Sequence, residues 1–165
     1  MQILVLQGPN LTRLGVRKPE IYGAYTLEQI QEAMDRRAEN LGCSLEHFQS
    51  NHEGGLIDWL QERQDGCDAI VCNPAGLTNY GLSLRDALVE TEKDLAIVHL
   101  SNVHAREQWR RNDVFAEVTN LYIAGLGWRG YVVAVDALRD RYVERTGGAE
   151  DLRLGTPPDR GRDRR

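Results

Sequence analysis

Short runs of apolar residues recur along the chain, and the segments between them carry apolar residues at helical spacing. The predicted strands are residues 3–6, 43–49, 69–72, 95–98 and 118–124. Residues 3–6, 69–72 and 95–98 are apolar throughout, which is typical of a parallel sheet covered on both faces by helices. Because predicted strands alternate with predicted helices along the chain, the sequence predicts βαβ units and one five-stranded parallel sheet.

The helices between these strands have recognisable limits. The first begins where Thr26 and Gln29 form a capping box, and it ends at Gly42. Later helices are predicted over residues 53–64, 82–91 and 131–145. This order predicts an α/β fold of the flavodoxin-like, doubly wound kind, in three αβα layers. We expect one domain over residues 1–145 and a disordered tail over residues 146–165, which are rich in Gly, Pro, Asp and Arg.

Composition excludes several classes of protein. The net charge of -5 argues against nucleic acid as the main partner, since such proteins usually carry a basic patch. No apolar run reaches the roughly 18 residues of a membrane span, and the first residues do not resemble a signal peptide. Three cysteines with no C-x-x-C pair suit a reduced cytoplasm. No zinc-binding pattern appears, so we expect a cytoplasmic protein without a metal site.

Two glycine-rich segments resemble nucleotide-binding loops. Residues 125–130 match G-x-G-x-x-G between a strand and a helix, but no later strand can complete the βαβ unit or supply the acidic residue that binds ribose. Residues 8–15 lack the Gly-Lys-Ser/Thr ending of a P-loop. We therefore expect neither segment to bind a nucleotide, and residues 125–130 to form a tight turn that allows close packing of a helix on a strand.

Polar residues follow the predicted strands, at the edge of a parallel sheet where ligands bind. They include Asn10, Arg17, Tyr22, Asn73, Asn79, His99, Ser101, Asn102, Arg106 and Arg110. Each has a structural alternative: Tyr22 could anchor a loop, His99 could be a core histidine, and the arginines could form a solvated helix face. The residues alone leave these alternatives open.

Together these segments resemble the type II 3-dehydroquinate dehydratase family. The matching stretches are residues 8–11, 14–15, 17, 19, 22–23, 49–54, 73–74, 84–87, 98–107, 125–127 and 130–131. The resemblance implies loss of water from a small-molecule substrate, 3-dehydroquinate, giving 3-dehydroshikimate through an enolate, without cofactor or metal. It implies that Tyr22 is the base and His99 the acid, with Arg17 beside the tyrosine and Asn10 holding a water at the enolate oxygen. It further implies trimers that assemble into a dodecamer, and the following substrate-binding residues: Asn73, Asp86, Leu100, Ser101 and Arg110.

This chemistry suits the residue types. A tyrosine titrates near ~10, so a tyrosine base needs a nearby cation such as Arg17. Histidine is a suitable general acid near neutral pH. The other dehydratase chemistry uses a Schiff-base lysine, and the chain has only Lys18 and Lys93, both in predicted polar loops.

Four positions depart from the family pattern. Gln7 replaces an asparagine and Lys18 a glutamate. Ile97 replaces a glutamate that would orient His99, and Asn79 replaces a histidine that touches substrate. We therefore expect His99 to lack a carboxylate partner and Ile97→Glu to raise activity. The departures leave an alternative open: a paralogue acting on another hydroxy-ketone or polyol acid, or a non-catalytic binding module.

Overall fold

The computed structural model describes residues 1–16 and 23–147. Within them, five parallel strands form one sheet in the order β2-β1-β3-β4-β5, the doubly wound order expected from the sequence. The strands are β1 (Gln2–Gln7), β2 (Ser44–Gln49), β3 (Ala69–Asn73), β4 (Asp94–His99) and β5 (Leu121–Ala124). The α-helices are α1 (Leu27–Asn40), α2 (Glu53–Arg63), α3 (Leu82–Glu90) and α4 (Arg129–Thr146).

The two faces of the sheet carry separate apolar cores, as three αβα layers require. Because side chains alternate along a strand, Ile3 and Val5 of β1 face α1 and α4, while Leu4 and Leu6 face α2 and α3. His99 ends β4 on the same side as Ile97, which belongs to the core under α2 and α3. The end of β4 therefore presents His99 just beyond a tightly packed apolar floor.

Local signals in the sequence explain the limits of α1. Thr26 Oγ1 accepts a hydrogen bond from Gln29 N, and Gln29 Oε1 accepts one from Thr26 N, so the predicted capping box is confirmed. At the other end Gly42 has a φ of 68°, a conformation that glycine adopts without steric cost. The buried face of this helix is Leu27, Ile30, Met34 and Ala38.

The prediction that β5 begins at residue 118 is wrong, since the strand begins at Leu121. The Asn120 side chain accepts a hydrogen bond of 2.8 Å from Leu95 N, and Thr119 Oγ1 donates to Leu95 O. The Asn120 side chain thus occupies Leu95 N, and the Thr119 hydroxyl shares Leu95 O with the main-chain N–H of Asn120, so the regular pairing of β5 starts only at Leu121. The predicted limits of the other elements differ from those observed by at most two residues.

The end of the last helix also differs slightly from the prediction. The last helix runs through Thr146, one residue into the predicted tail, and Gly147 caps it with a φ of 86°. Residues 148–165 lie outside the described residues, so the predicted disordered tail stays a prediction. Among the helices that the structure describes, none is long and apolar enough to cross a membrane.

Tight turns hold the carboxyl ends of the strands together. Gly8 N donates to Asn73 O, and a Cβ at residue 8 would overlap the carbonyl of Pro74. Gly127 N donates to Leu100 O, and a Cβ on Gly130 would press against Ile123 and Val98. The segment of residues 125–130 is thus a tight turn with close helix–strand packing, as expected.

Candidate active site

A cavity of about 340 Å³ opens at the carboxyl edge of the sheet. Its walls are the turn after β1, the segment after β3 and the loop after β4. Six residues predicted from the sequence line it: Asn10, Asn73, His99, Leu100, Ser101 and Arg110. The structure therefore gathers into one cavity polar groups that are separated by up to a hundred residues along the chain.

Asn10 is held by its main chain in an uncommon conformation. Its φ is 67°, in the left-handed region that asparagine tolerates better than most residues. Asn51, which follows β2, accepts a hydrogen bond of 2.9 Å from Asn10 N. Gln49 Nε2 donates to both Gly8 O and Asn51 Oδ1, so this turn is tied to the neighbouring strand.

Asn73 belongs to a buried chain of hydrogen bonds. Its Nδ2 donates to Tyr131 Oη at 2.7 Å, and its Oδ1 accepts from Ala75 N at 3.0 Å. Tyr131 in turn donates to Gln7 Oε1 at 2.7 Å. Burial raises the pKa of Tyr131, which keeps its hydroxyl protonated and able to donate. Gln7 thus fits the site as the acceptor that fixes Tyr131 and, through it, the orientation of the Asn73 amide.

His99 has a carboxylate partner. Its Nε2 lies 2.7 Å from Asp113 Oδ2, and the side chain of Asp113 is only 1% exposed. The expectation that Ile97 leaves His99 without a carboxylate is therefore wrong. Asp113 comes from the irregular segment between Arg111 and β5, where nothing in the sequence pattern marked it.

Asp113 is itself fully engaged. Tyr122 Oη donates to Oδ2 at 2.8 Å, and Phe115 N donates to Oδ1 at 2.9 Å. Burial alone would raise the pKa of Asp113, but the hydrogen bonds from His99 and Phe115 and the charge of His99 hold it below its ordinary value. A carboxylate in this environment is ionised at neutral pH.

Asn79 serves the same loop. Its Nδ2 donates to the main-chain oxygens of Trp109, at 2.9 Å, and of Asn112, at 2.6 Å. The nearby Val114 N donates to Thr78 O. Asn79 lines the cavity, but its two N–H groups are occupied by the segment that leads into Asp113.

Arginines dominate the charge of the cavity. Arg13, Arg106 and Arg110 line it, and among the described lining residues there is no Asp or Glu. Arg110 stacks on the Trp109 ring at 4.0 Å, and its Nε donates to Glu107 Oε2 at 2.9 Å. The cavity suits a small ligand that carries a carboxylate and hydroxyl groups.

Three predicted site residues are not brought together here. Asp86 lies on α3, where its side chain is 68% exposed and pairs with Arg85, away from the cavity of its own chain. Arg17 and Tyr22 lie outside the described residues, and so does Lys18. Lys93 precedes β4, at the opposite end of the strand from His99, roughly 20 Å away by strand rise. Within residues 1–16 and 23–147, no cluster of three or more His, Cys, Asp or Glu could hold a metal ion.

Comparison with known proteins agrees with this geometry. The class II dehydroquinase family matches residues 1–139 of the chain. The chain belongs to that family. A 3-dehydroquinate dehydratase from Roseiflexus castenholzii is 48% identical over 156 residues, which cover 94% of this chain and 99% of the relative.

Two further relatives of this dehydroquinase are informative. A catabolic 3-dehydroquinase from Aspergillus clavatus is 45% identical over 143 residues, 87% of this chain and 95% of the relative. The crystal structure of a type II dehydroquinase from Butyrivibrio crossotus superposes with a TM-score of 0.81 at 41% identity, covering 84% of this chain and 97% of that one. The flavodoxin-like, doubly wound fold is therefore confirmed by solved structures as well as by strand order.

Proposed function

We propose that this dehydroquinase removes water from 3-dehydroquinate to give 3-dehydroshikimate. The observation that carries the proposal is the cavity, where His99 with its carboxylate partner lines the same walls as three arginines. The family match over residues 1–139 supports the same function. The 3-dehydroquinate dehydratases at 48% and 49% identity support the same reaction.

The mechanism we infer runs through an enolate. The Tyr22 phenolate, favoured by Arg17, takes the proton from the carbon next to the ketone, and the C–H electrons move onto the ketone oxygen. Asn10 holds a water that stabilises this oxygen. As the enolate collapses, the C–O bond breaks and His99 gives a proton to the departing hydroxyl, which leaves as water. These four roles follow the family motif, and they remain proposals.

The position of Lys93 argues against this residue as a Schiff-base lysine. Lys93 lies at the far end of β4 from His99, so this lysine does not reach a ketone bound in the cavity. The arginines and the buried amide of Asn73 provide donors for the carboxylate and hydroxyls of the substrate. We infer that Asn73, Leu100, Ser101 and Arg110 bind substrate.

The test of this function is turnover by wild type and by Tyr22→Phe. Wild type should produce the enone absorbance of 3-dehydroshikimate, and Tyr22→Phe should lose at least about 10²-fold in rate while ligand binding stays nearly unchanged. Tyr25→Phe is the matched control, because Tyr25 is exposed and packs against Trp128 outside the described wall of the cavity. A wild-type protein that leaves 3-dehydroquinate intact at every pH would refute the proposed function.

We also infer that the protein forms trimers that assemble into a dodecamer, in which Asp86 reaches the cavity of a neighbouring chain. Its exposed position on α3, next to the exposed side chains of Leu82 and Val89, supports this. Light scattering should give a mass about twelve times the 18.7 kDa of one chain. A monomer at micromolar concentration would contradict the assembly and leave Asp86 without a role.

We infer a cytoplasmic location. The three cysteines, Cys43, Cys67 and Cys72, are all free, which suits a reducing compartment. Cell fractionation followed by detection of the protein would test this.

A further inference from the structure

The end of β4 presents a problem for the proposed acid. A histidine that donates a proton needs a partner that orients its ring and stabilises its charged form. The nearest side chain on the same face of β4 belongs to Ile97, which is 0% exposed and packed in the core under α2 and α3. Strand β4 therefore offers His99 an apolar neighbour only.

The partner comes instead from outside the sheet. Asp113 Oδ2 receives hydrogen bonds from both His99 Nε2 and Tyr122 Oη, and its Oδ1 is held by Phe115 N. All three donors come from different parts of the chain, so neither the rotation nor the position of the carboxylate is free. Removing one partner of a buried, hydrogen-bonded pair of this kind is strongly destabilising, whereas an exposed pair contributes little.

We propose that Asp113 is the positioning residue of His99. It supplies, from the loop before β5, the carboxylate that is missing from β4, and the Tyr122 hydroxyl holds this carboxylate in place. The proposal rests on the proposed function for its kinetic consequences. Because Nε2–H donates to Asp113, Nδ1 is the ring nitrogen that remains to exchange a proton with the ligand in the cavity. Imidazolium then donates its Nδ1 proton to the leaving hydroxyl and remains as the neutral Nε2–H tautomer.

Tyr122 fits the second half of this arrangement. It lies beside Ile97 in the β4–β5 register, and its ring is tilted against that of His99 with centroids 5.5 Å apart. Burial and the Asp113 carboxylate raise the pKa of Tyr122, so its hydroxyl stays protonated and donates. The hydroxyl holds Oδ2 in line with His99 without adding a charge.

Other titratable groups surround this trio. From β3, Cys72 is fully buried, and burial raises the pKa of its thiol, so it is neutral. From α3, Arg85 donates to Val114 O beside Asp113 and pairs with Glu117. The remaining neighbours belong to the loop after β4: His104, whose ring is 6.2 Å from that of Tyr122, and the cavity residues Arg106 and Arg110. Asp113 is therefore the carboxylate in direct contact with His99 among the described residues.

The first test needs no turnover. In ligand-free protein with ¹⁵N-labelled histidine, His99 is assigned among the four histidines by its loss in His99→Gln. Wild type should show a slowly exchanging Nε2–H, and Asp113→Asn should lose that signal or shift it strongly. A wild-type ring that carries its proton on Nδ1 alone at high pH would overturn the proposal.

The second test uses the pH profile. Asp113→Asn should lower kcat by about 10²-fold with little change in KM, because the change affects proton donation and leaves the substrate donors in place. Removing the carboxylate disfavours imidazolium, so the alkaline limb of the kcat profile should move to lower pH. Tyr122→Phe should shift it in the same direction by less. Glu117→Gln, which removes an exposed carboxylate from the same loop, is the control and should leave the limb unchanged.

The decisive test returns the carboxylate to β4. In the background of Asp113→Ser, adding Ile97→Glu should restore part of the lost kcat and move the alkaline limb back, since positions 97 and 99 share a face of the strand. A purely structural role for Asp113 predicts no such recovery.

The proposal is overturned if Asp113→Asn folds, as judged by circular dichroism, and keeps both the wild-type tautomer of His99 and a kcat within about threefold of the wild-type value. If Asp113→Asn does not fold, the proposal is tested by Tyr122→Phe and by the nitrogen spectrum of the wild-type His99 ring. Absence of turnover by wild type would refute the proposed function, while the ring spectrum would still show whether His99 donates to Asp113.

Discussion

The side-chain amide of Asn79 donates a hydrogen bond of 2.6 Å to the main-chain carbonyl of Asn112, the residue immediately before Asp113. Its second N–H reaches Trp109 O. Asn79 thereby fastens the segment after β3 to the loop that delivers the carboxylate to His99. Two departures from the family pattern, at positions 79 and 97, thus concern the same local structure.

Asn79→Ala should lower the free energy of unfolding by about 1–3 kcal/mol, because two hydrogen bonds to main-chain carbonyls are lost. Activity should fall as well, since the loop before Asp113 loses its support. Urea denaturation and kcat measure the two effects. Gln108→Ala, on the exposed surface of the same loop, is the control and should change neither. Equal stability of the two variants would contradict the support role of Asn79.

Gly8→Ala should destabilise the protein and weaken ligand binding, because the new Cβ would overlap the Pro74 carbonyl and push apart two walls of the cavity. Gly54→Ala is a matched control. Gly54 lies in the first turn of α2, and a Cβ there meets nothing within 4 Å. That variant should be up to about 1 kcal/mol more stable than wild type. Thermal unfolding of both proteins checks the opposite signs.

Ile97→Glu alone should not raise activity, contrary to the expectation from sequence. His99 already has a carboxylate partner, and a second one in this apolar core would be buried beside the first. We expect a loss of about 2 kcal/mol or more in the free energy of unfolding and an unchanged or lower kcat. Ile97→Gln, which is polar but uncharged, separates the cost of charge from that of polarity. A faster enzyme of unchanged stability would disprove this account.

The carboxylate of Asp113 should also contribute to acid stability. Its pKa is lowered in the folded protein, so its stabilising effect is present above the ordinary pKa of 3.8 and is lost as pH falls below that value. The difference in unfolding free energy between wild type and Asp113→Asn should therefore shrink between pH 5 and pH 3. Urea denaturation at several pH values measures it. A difference that grows toward low pH would contradict the sign.

The fold could be predicted because its signals are local. Apolar strands, the Thr26–Gln29 capping box and Gly42 depend on a few neighbouring residues, and these settle strand and helix positions within about two residues. The start of β5 was mispredicted because Asn120 and Thr119 bond to Leu95, which is 25 and 24 residues away. Hydrogen bonds from side chains to the main chain of a neighbouring strand leave no periodic pattern in the sequence.

The candidate site was predictable only in part, for the same reason. Asn10, Asn73 and His99 follow strands, and the carboxyl ends of parallel strands meet at one edge. Asp113 does not follow a strand. It lies in a polar stretch of sequence, where a buried aspartate cannot be distinguished from a solvated one. Its importance depends on Tyr122 and His99 arriving from two adjacent strands, which only the folded chain brings about.

The hydrogen bond from Tyr131 to Gln7 joins residues 124 positions apart, and the bond from Asn73 to Tyr131 spans 58. During synthesis at roughly 5–20 residues per second, Tyr131 is added several seconds after Asn73. Until α4 docks, β1 and β3 can pair, but Gln7 and Asn73 have no hydroxyl between them. A growing chain therefore completes the Asn73–Tyr131–Gln7 chain of hydrogen bonds late, when its last helix docks on the sheet.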